Sequence, residues 1–486
     1  MTTLSAPDRN LADALVGIMG RAHVLEDAAE RAYFAADLFF QGPPALLVVQ
    51  PGSRDELVQA VKACYAAGVA IVPRGGGLSY TGGYVPKGPR AVIFDTRGLN
   101  RVVGVEADDL YVTVEAGCTW ATLAEALSHF GLRVPHYGPA SGRVSTIGGS
   151  LSQNSLLFGS GTGGTAADNV LGLEVVTGPG DVVVTGSGAV AHGTPFYRAY
   201  GPDLTGLFLA DCGALGIKTR ATLRLEAVPA GVDYASFRFP TFEAMVTAAS
   251  AVARRRLATE CLGSGPWSPP GVAKSEVLPA LHVVVEGRSR REARDRLIEV
   301  KGLCGHQGTE IEPVVPKHIR AHPFTFVQSL QDPQGRRMAW THGLVPYSRA
   351  LHLYGAVAGF LNEQASVMAR HGIAATISVS PTRSAFLVEP VFYWYDTLQP
   401  IHERGLGDEA KPAAPVPANP AATEAVGLLR AGLRDLFRRE GAVHLQIGKF
   451  YGYRDGLAPA TFAVLEGIKR SLDPRRLMNP GALGLG

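Results

Sequence analysis

The sequence predicts an α+β protein built of more than one domain. Three observations carry that reading. Short strand-like runs alternate with amphipathic helices, two glycine-rich tracts interrupt the first 230 residues, and near residue 231 the texture changes to a β-α-β-α alternation poor in glycine. At 486 residues the chain is long enough for two cores or more.

The elements follow in order. A helical N-terminal region precedes ALLVVQPGS, and RDELVQAVKACYAAG is an amphipathic helix with Leu57, Val58, Val61 and Ala63 or Cys64 on its apolar side. AIVP is a short buried strand running into PRGGGLSYTGG, residues 73–83. AVIFDT and YVTVEAG read as further strands, and TWATLAEALSHFG as a helix between a threonine cap and a glycine stop. The second glycine tract, PASGRVSTIGGSLSQN, has no hydrophobic period, whereas VLGLEVVTGPGDVVVTG is a β-hairpin.

From residue 231, YASFRFP and ALHVVVEG are strands, each followed by a helix (TFEAMVTAASAVARRR, SRREARDRLIEVKGLCG). RALHLYGAVAGFLNEQASVMARHG reads as one long helix, followed by strands AATISVS and SAFLVEPVFYWYD. GDEAKPAAPVPANPAA is a proline-alanine linker or surface loop before the helix TEAVGLLRAGLRDLFRREG.

Composition narrows the function classes. A hydrophobic content of 46% with 18% charged residues belongs to a globular chain. The net charge of +3 is too small to argue for nucleic acid, and no basic run with interleaved aromatics occurs. The N-terminal stretch lacks signal-peptide features, and no apolar run approaches the ~18 residues of a transmembrane segment. The expectation is a cytoplasmic protein, free or peripheral to a membrane. The five cysteines lie far apart without a CxxC pair, which predicts buried free thiols.

Gly75, Gly76 and Gly77 follow a strand, so their backbone N–H groups could form an anion-binding nest. The Rossmann fingerprint fails because Tyr80, Thr81, Gly82, Gly83 and Pro86 follow instead of a helix, and no GK[ST] completes a Walker A pattern. Alone, such a loop is a tight turn or a phosphate cradle. The second tract, with Gly148 and Gly149 among Ser145, Thr146, Ser150 and Asn154, favours the cradle.

In their order, PRGGGLSYTGG, VTVEAG, GPASGRVSTIGGSLSQN, DNVLGLEVVTGPGDVV, LFLADCGALGIKTRATLRL and the final SLDPRRLMNPG resemble the flavin-binding domain of the vanillyl-alcohol oxidase and p-cresol methylhydroxylase family. The resemblance implies a PCMH-type, two-subdomain FAD-binding domain over 1–230. It implies a cap or substrate domain with an antiparallel sheet flanked by helices over 231–440, and a C-terminal segment over 441–486 that returns to the flavin. FAD is the implied cofactor. Its diphosphate would be held by Arg74, Gly75, Gly76, Gly77, Leu78, Ser79, Gly82 and Gly83 on one side. Pro139, Ser141, Thr146, Gly148 and Gly149 would hold it on the other, with Gly216 and Ile217 near the adenine and ribose. Cys212 stands where the family commonly has an acid. Leu78 replaces the histidine that bonds flavin covalently in many relatives, which implies FAD held without that bond. Ala116 matches a position beside the flavin where alanine accompanies poor oxygen reactivity, so electrons would pass to a carrier such as a quinone or cytochrome. Asn479, in MNPG, would touch the flavin edge.

The segments WTHGLVPYS, SPTRSAFLVEPVFYWYD and AVHLQIGKFYGY resemble those of the D-lactate dehydrogenase-like branch and, in part, the phenol-oxidising branch. Oxidising a D-2-hydroxy acid (D-lactate or glycolate) by hydride transfer to flavin N5 needs a base for the hydroxyl and a cation for the carboxylate. His444 is the candidate base, Arg383 the carboxylate clamp and Lys449 an assisting charge; His342 is a weaker candidate. Tyr393, one side of the FYWYD strand, is the candidate for holding a phenolate in the alternative, oxidation of a para-substituted phenol or aromatic alcohol. An alternative of another class is a non-catalytic flavin-binding subunit. No metal is assigned, because Pro316 and Pro323 bracket His318 and His322. A homodimer is the default oligomer.

Overall fold

The computed structural model describes residues 5–267, 278–325, 332, 334–404 and 416–486. In the first lobe α1 (Ala6–Met19) precedes a small sheet of β1 (Val24–Leu25), β2 (Leu47–Val49), β3 (Ala70–Arg74) and β4 (Ala91–Asp95), ordered β1-β2-β4-β3. Strands β2, β4 and β3 are parallel and β1 antiparallel. β4 is buried along its whole length, as a parallel strand covered on both faces should be. The crossover helix α2 (Arg54–Ala66) starts at Ser53, whose hydroxyl accepts from Glu56 N, and buries Leu57, Ala60, Val61 and Cys64.

A second sheet is antiparallel throughout. Its strands are β5 (Val102–Glu106), β6 (Tyr111–Glu115), β7 (Val170–Val176), β8 (Val182–Val184) and β9 (Ile217–Arg224), ordered β5-β6-β9-β7-β8, with β7 and β8 forming the expected hairpin. α3 (Trp120–Ser128) starts at the Thr119 cap, and α4 (Ile147–Gln153) grows from Thr146, whose hydroxyl accepts from Gly149 N. The glycine tracts thus emerge from the C-terminal end of β3 and into the first turn of α4.

The cap is a larger antiparallel sheet. β10 (Gly231–Arg238), β11 (Glu260–Pro266), β12 (Ala280–Gly287), β13 (Thr309–Ile311), β14 (Arg336–Trp340), β15 (Gly343–Val345), β16 (Ala374–Pro381) and β17 (Phe386–Tyr395) run in the order β13-β10-β12-β11-β16-β17-β14, with β15 also paired to β17. Helices α5 (Phe242–Arg254), α6 (Arg290–Gly305) and the short α7 (Val314–Ala321) pack on it. Pro316 lies in the first turn of α7, where a missing N–H costs nothing, so it does not keep His318 off a helix as the sequence suggested; His322, before Pro323, is the C-cap with φ -128° and ψ 59°. The long helix expected over RALHLY…ARHG is two, α8 (Ala350–Glu363) and α9 (Ala365–Arg370), separated at Gln364 where ψ opens to 3°. Of the proline-alanine stretch, the part up to residue 415 lies outside the described residues, and Pro420 already opens α10 (Pro420–Arg439).

Phe386, Phe392 and Trp394 of β17 share the cap core with Leu429 and Leu433 of α10. The C-terminal segment turns back: Lys449 N and Phe450 N donate to Thr81 O, Asn479 N donates to Ile71 O, and Phe462 of α11 (Pro459–Leu472) joins the core of the first lobe.

Candidate active site

Where the two glycine tracts meet the cap sheet lies a cavity of about 950 Å³. The tracts touch without room for side chains. A Cβ on Gly75 would strike the Thr146 hydroxyl, and one on Gly76 would enter the Val144 carbonyl. Arg74, at the end of β3, is 2% exposed. Its guanidinium lies over the rings of Phe34, Tyr33 and Tyr84 at 4.6, 5.1 and 5.3 Å, and among the described residues none of its side-chain nitrogens has a hydrogen-bond partner. The Tyr84 hydroxyl donates instead to Gly77 O at 2.5 Å. A buried, unanswered cation beside side-chain-free amides has the chemistry of a diphosphate site, so the residues present fit the dinucleotide implied by the sequence.

Arg74 through Ser79, Gly83, Ala116, Pro139, Ser141, Thr146, Gly148, Gly149, Gly216 and Ile217 all line this cavity. Gly82 and Asn479 do not. Gly82 N donates to Asp37 Oδ2 at 2.6 Å, and Asn479 Nδ2 donates to Gly83 O and Cys212 O at 2.8 and 2.6 Å, so both brace the loops from behind. Cys212 lines the cavity as a neutral thiol, its pKa pushed up to about 12 by burial. Leu78 offers no nucleophile to a flavin. The Cβ of Ala116 is packed against the second tract: a Cβ on Gly148 would come within 2.7 Å of it.

At the cap end the lining includes Tyr80, Leu262, Trp340, His342, Leu387, Glu389 and Leu445. The Tyr80 and Trp340 rings lie 5.1 Å apart, tilted by 37°. Glu389, on β17, accepts from the Tyr80 hydroxyl at 3.4 Å, and burial pushes its pKa up to about 7. His342 Nε2 donates to Leu445 O at 2.8 Å, which leaves the lone pair on Nδ1, 3.5 Å from the Tyr451 hydroxyl and 3.7 Å from Glu389 Oε1. Burial, with His444 nearby, lowers its pKa to about 3, so the imidazole is neutral and the contact is not an ion pair. Its backbone N–H donates to the Tyr451 hydroxyl at 2.8 Å.

None of the four residues expected to carry catalysis lines the cavity. His444 Nδ1 donates to His342 O at 2.8 Å, and its ring stacks on Tyr451 at 3.8 Å, so it supports His342. Arg383 is exposed in the turn between β16 and β17, its N–H given to Ser160 O. Tyr393 sits farther along β17, its hydroxyl 3.2 Å from Thr376 Oγ1. Lys449 Nζ donates to Val85 O at 2.6 Å, and burial followed by Lys87 lowers its pKa to about 7. Sequence reasoning missed Glu389, Tyr80 and Trp340; an acid inside the apolar run FLVEPVF was the available signal. His318 and His322, rings 4.7 Å apart, are exposed at the cavity mouth. Among the described residues no group of three or more His, Cys, Asp or Glu side chains could hold a metal ion, and no helix is long and apolar enough to cross a membrane.

Comparison with known proteins gives two family matches along the chain. Residues 45–186 match the FAD binding domain family and residues 452–483 the C-terminal domain of FAD linked oxidases. The glycolate oxidase subunit GlcD of Bacillus subtilis is 31% identical over 224 residues, 46% of this chain and 46% of that protein. The mitochondrial cytochrome-type D-lactate dehydrogenase of Arabidopsis thaliana is 32% identical over 302 residues, 60% of this chain and 48% of that protein. The chain thus spans about half the length of the curated relatives it matches. In fold, p-cresol methylhydroxylase with substrate bound superposes with a TM-score of 0.79 at 15% identity, over 100% of this chain and 98% of that one. The 4-ethylphenol oxidase of Gulosibacter chungangensis gives 0.76 at 16% identity, over 100% and 98%. The cofactor of the cavity is FAD.

Proposed function

We propose that this chain, which belongs to the FAD-linked oxidoreductases with a PCMH-type FAD-binding domain, oxidises a hydroxyl-bearing carbon on an uncharged substrate with an aromatic or apolar body. The observation that carries the reading is the charge of the cap end. Among the described lining residues the only cations besides histidine are Arg74 and Lys218, both of the first lobe, and Lys218 is already bound to Asp211 at 2.7 Å. A substrate carboxylate would find no guanidinium at the cap end, and the ionised form of Glu389 would repel it.

Bound FAD supplies the two-electron acceptor. The chain supplies the rest. Arg74 and the amides of 75–79 anchor the diphosphate; the amides of Gly148 and Gly149, expected to share that task, are already given to Ala116 O and Thr146 Oγ1, so the second tract offers close approach rather than donors. Tyr80 and Trp340 hold the flat body of the substrate. Glu389 takes the hydroxyl proton; Tyr80 orients its Oε1, and His342, whose Nδ1 is shared between the Tyr451 hydroxyl and this side of the site, keeps the surroundings of the acid uncharged. Leu262, Leu387 and Leu445 exclude water. Ala116 supports transfer of electrons to a carrier rather than to oxygen.

The second reading, a D-2-hydroxy acid substrate, draws support from the names of the GlcD and D-lactate dehydrogenase relatives and from His318 and His322 at the mouth, which could meet a carboxylate. Anaerobic mixing of the purified protein with 4-hydroxybenzyl alcohol, vanillyl alcohol, D-lactate or glycolate, following flavin absorbance, separates the two. Bleaching by the aromatic alcohols alone is expected. Bleaching by D-lactate alone overturns the proposal in favour of the second reading.

A further inference from the structure

Arg430, on α10, is fully buried; among the described residues no carboxylate forms an ion pair with it, and the acid that favours its charge is Asp37. Its Nη2 donates to Tyr80 O at 2.6 Å, and its Nε lies 3.3 Å from both Trp340 O and Thr341 Oγ1. Nη1 has no partner. The guanidinium is packed over the rings of Phe39, Phe450 and Phe40 at 4.1, 4.6 and 5.4 Å. Burial pulls its pKa down to about 10, which still leaves it charged at neutral pH.

A cation in such a place is costly. Aromatic faces and carbonyl oxygens offset part of the lost hydration, but an apolar side chain of similar volume would satisfy the core at less cost. What an apolar side chain could not do is bond two main-chain carbonyls at once, and the two are not arbitrary. Tyr80 belongs to the glycine loop of the first lobe and Trp340 to the end of β14 in the cap, and their rings make the flat wall of the cavity.

We infer that Arg430 is a positioning residue: its planar fork joins the Tyr80 and Trp340 carbonyls, fixing the halves of the aromatic wall contributed by the two lobes and the exit of the diphosphate loop. The part concerning the wall rests on the proposed function; the part concerning the loop does not.

The test uses full-length Arg430→Met and Arg430→Lys. With Arg430→Met the melting temperature at saturating FAD is expected to stay level or rise, because a desolvated charge has gone. The Kd for FAD, read by titration of the flavin spectrum, is expected to rise about tenfold or more, as is the KM for an alcohol that bleaches the wild-type flavin, with kcat within about threefold. Arg430→Lys keeps the charge without the fork and is expected to show the same rises; it decides the matter if the methionine variant does not fold. A lower melting temperature with unchanged Kd and KM overturns the inference, leaving an ordinary core residue. Full restoration by lysine overturns the role of the fork. If no alcohol bleaches the wild-type protein the proposed function falls, while the FAD titration still decides the role of Arg430.

Discussion

Glu389→Gln tests the chemistry most directly. The carboxyl is half-buried, 20% exposed towards the cavity, beside Tyr80 and a neutral His342, and its pKa stands at about 7 against an ordinary 4.5. That gap corresponds to on the order of 3 kcal/mol at about 1.4 kcal/mol per pKa unit. A base must be ionised, so the rate of anaerobic flavin reduction at low substrate should climb through neutrality, about tenfold between roughly pH 6 and 8, and level off above. Glutamine cannot accept the proton; the rate should drop by about 10²–10⁴ and the limb near pH 7 should vanish. Stability moves the opposite way. Because the folded-state pKa is raised, the folded protein binds more protons than the unfolded chain between about 4.5 and 7. The wild type therefore loses stability as pH rises through that window, and the whole cost is present above it. Glu389→Gln should accordingly be more stable than wild type above pH 7, by up to about 3 kcal/mol, and indistinguishable from it below pH 4.5 in urea unfolding. A variant that keeps both the rate and its pH limb would remove Glu389 from the reaction.

Other expectations follow from the same geometry. Arg74→Ala, which deletes the unpartnered cation of the diphosphate cradle, should weaken FAD by about 2 kcal/mol, roughly thirtyfold in Kd by titration. Gly76→Val drives a Cβ into the Val144 carbonyl and should yield protein purified without yellow colour. Ala116→Gly removes the methyl group packed against Gly148 at the cavity wall and should accelerate reoxidation by air, read as hydrogen peroxide release; an unchanged rate would leave Ala116 as a small packing residue. Arg383→Ala should leave KM within about threefold for any substrate, since a side chain exposed in a turn holds nothing in the cavity.

The two ends of the site were not equally legible, and the difference is physical. The diphosphate cradle is made by backbone, and a backbone that must be bare announces itself locally: glycines where no Cβ fits can be read from a dozen consecutive letters. The fold class, the cap sheet and half of its strands were legible for a similar reason, because burial imposes a period; β11, β13, β14 and β15 were not, three of them being five residues or fewer. The cap end is assembled from side chains 309 residues apart, as in the Tyr80 and Glu389 contact, and no local signal encodes that meeting. Strand β17 shows how close the reading came. Alternation puts Leu387, Glu389 and Tyr393 on one side and Phe386, Val388, Phe392 and Trp394 on the other, and the even set is indeed buried core. Tyr393 therefore shares the side of the strand that faces the cavity, but four residues at about 3.3 Å each carry it some 13 Å past Glu389. What selects position 389 is pairing register, Ser378 opposite Glu389, which brings this one point of the strand under the glycine loop. Residue type then misled, since an arginine or a histidine suggests itself for hydroxy-acid chemistry more readily than an acid inside an apolar run. Yet the acid is the more informative letter. A carboxyl survives between Val388 and Pro390 in a buried strand only if something compensates for its desolvation, and here the compensation is a pKa near neutrality and a phenol that donates to it.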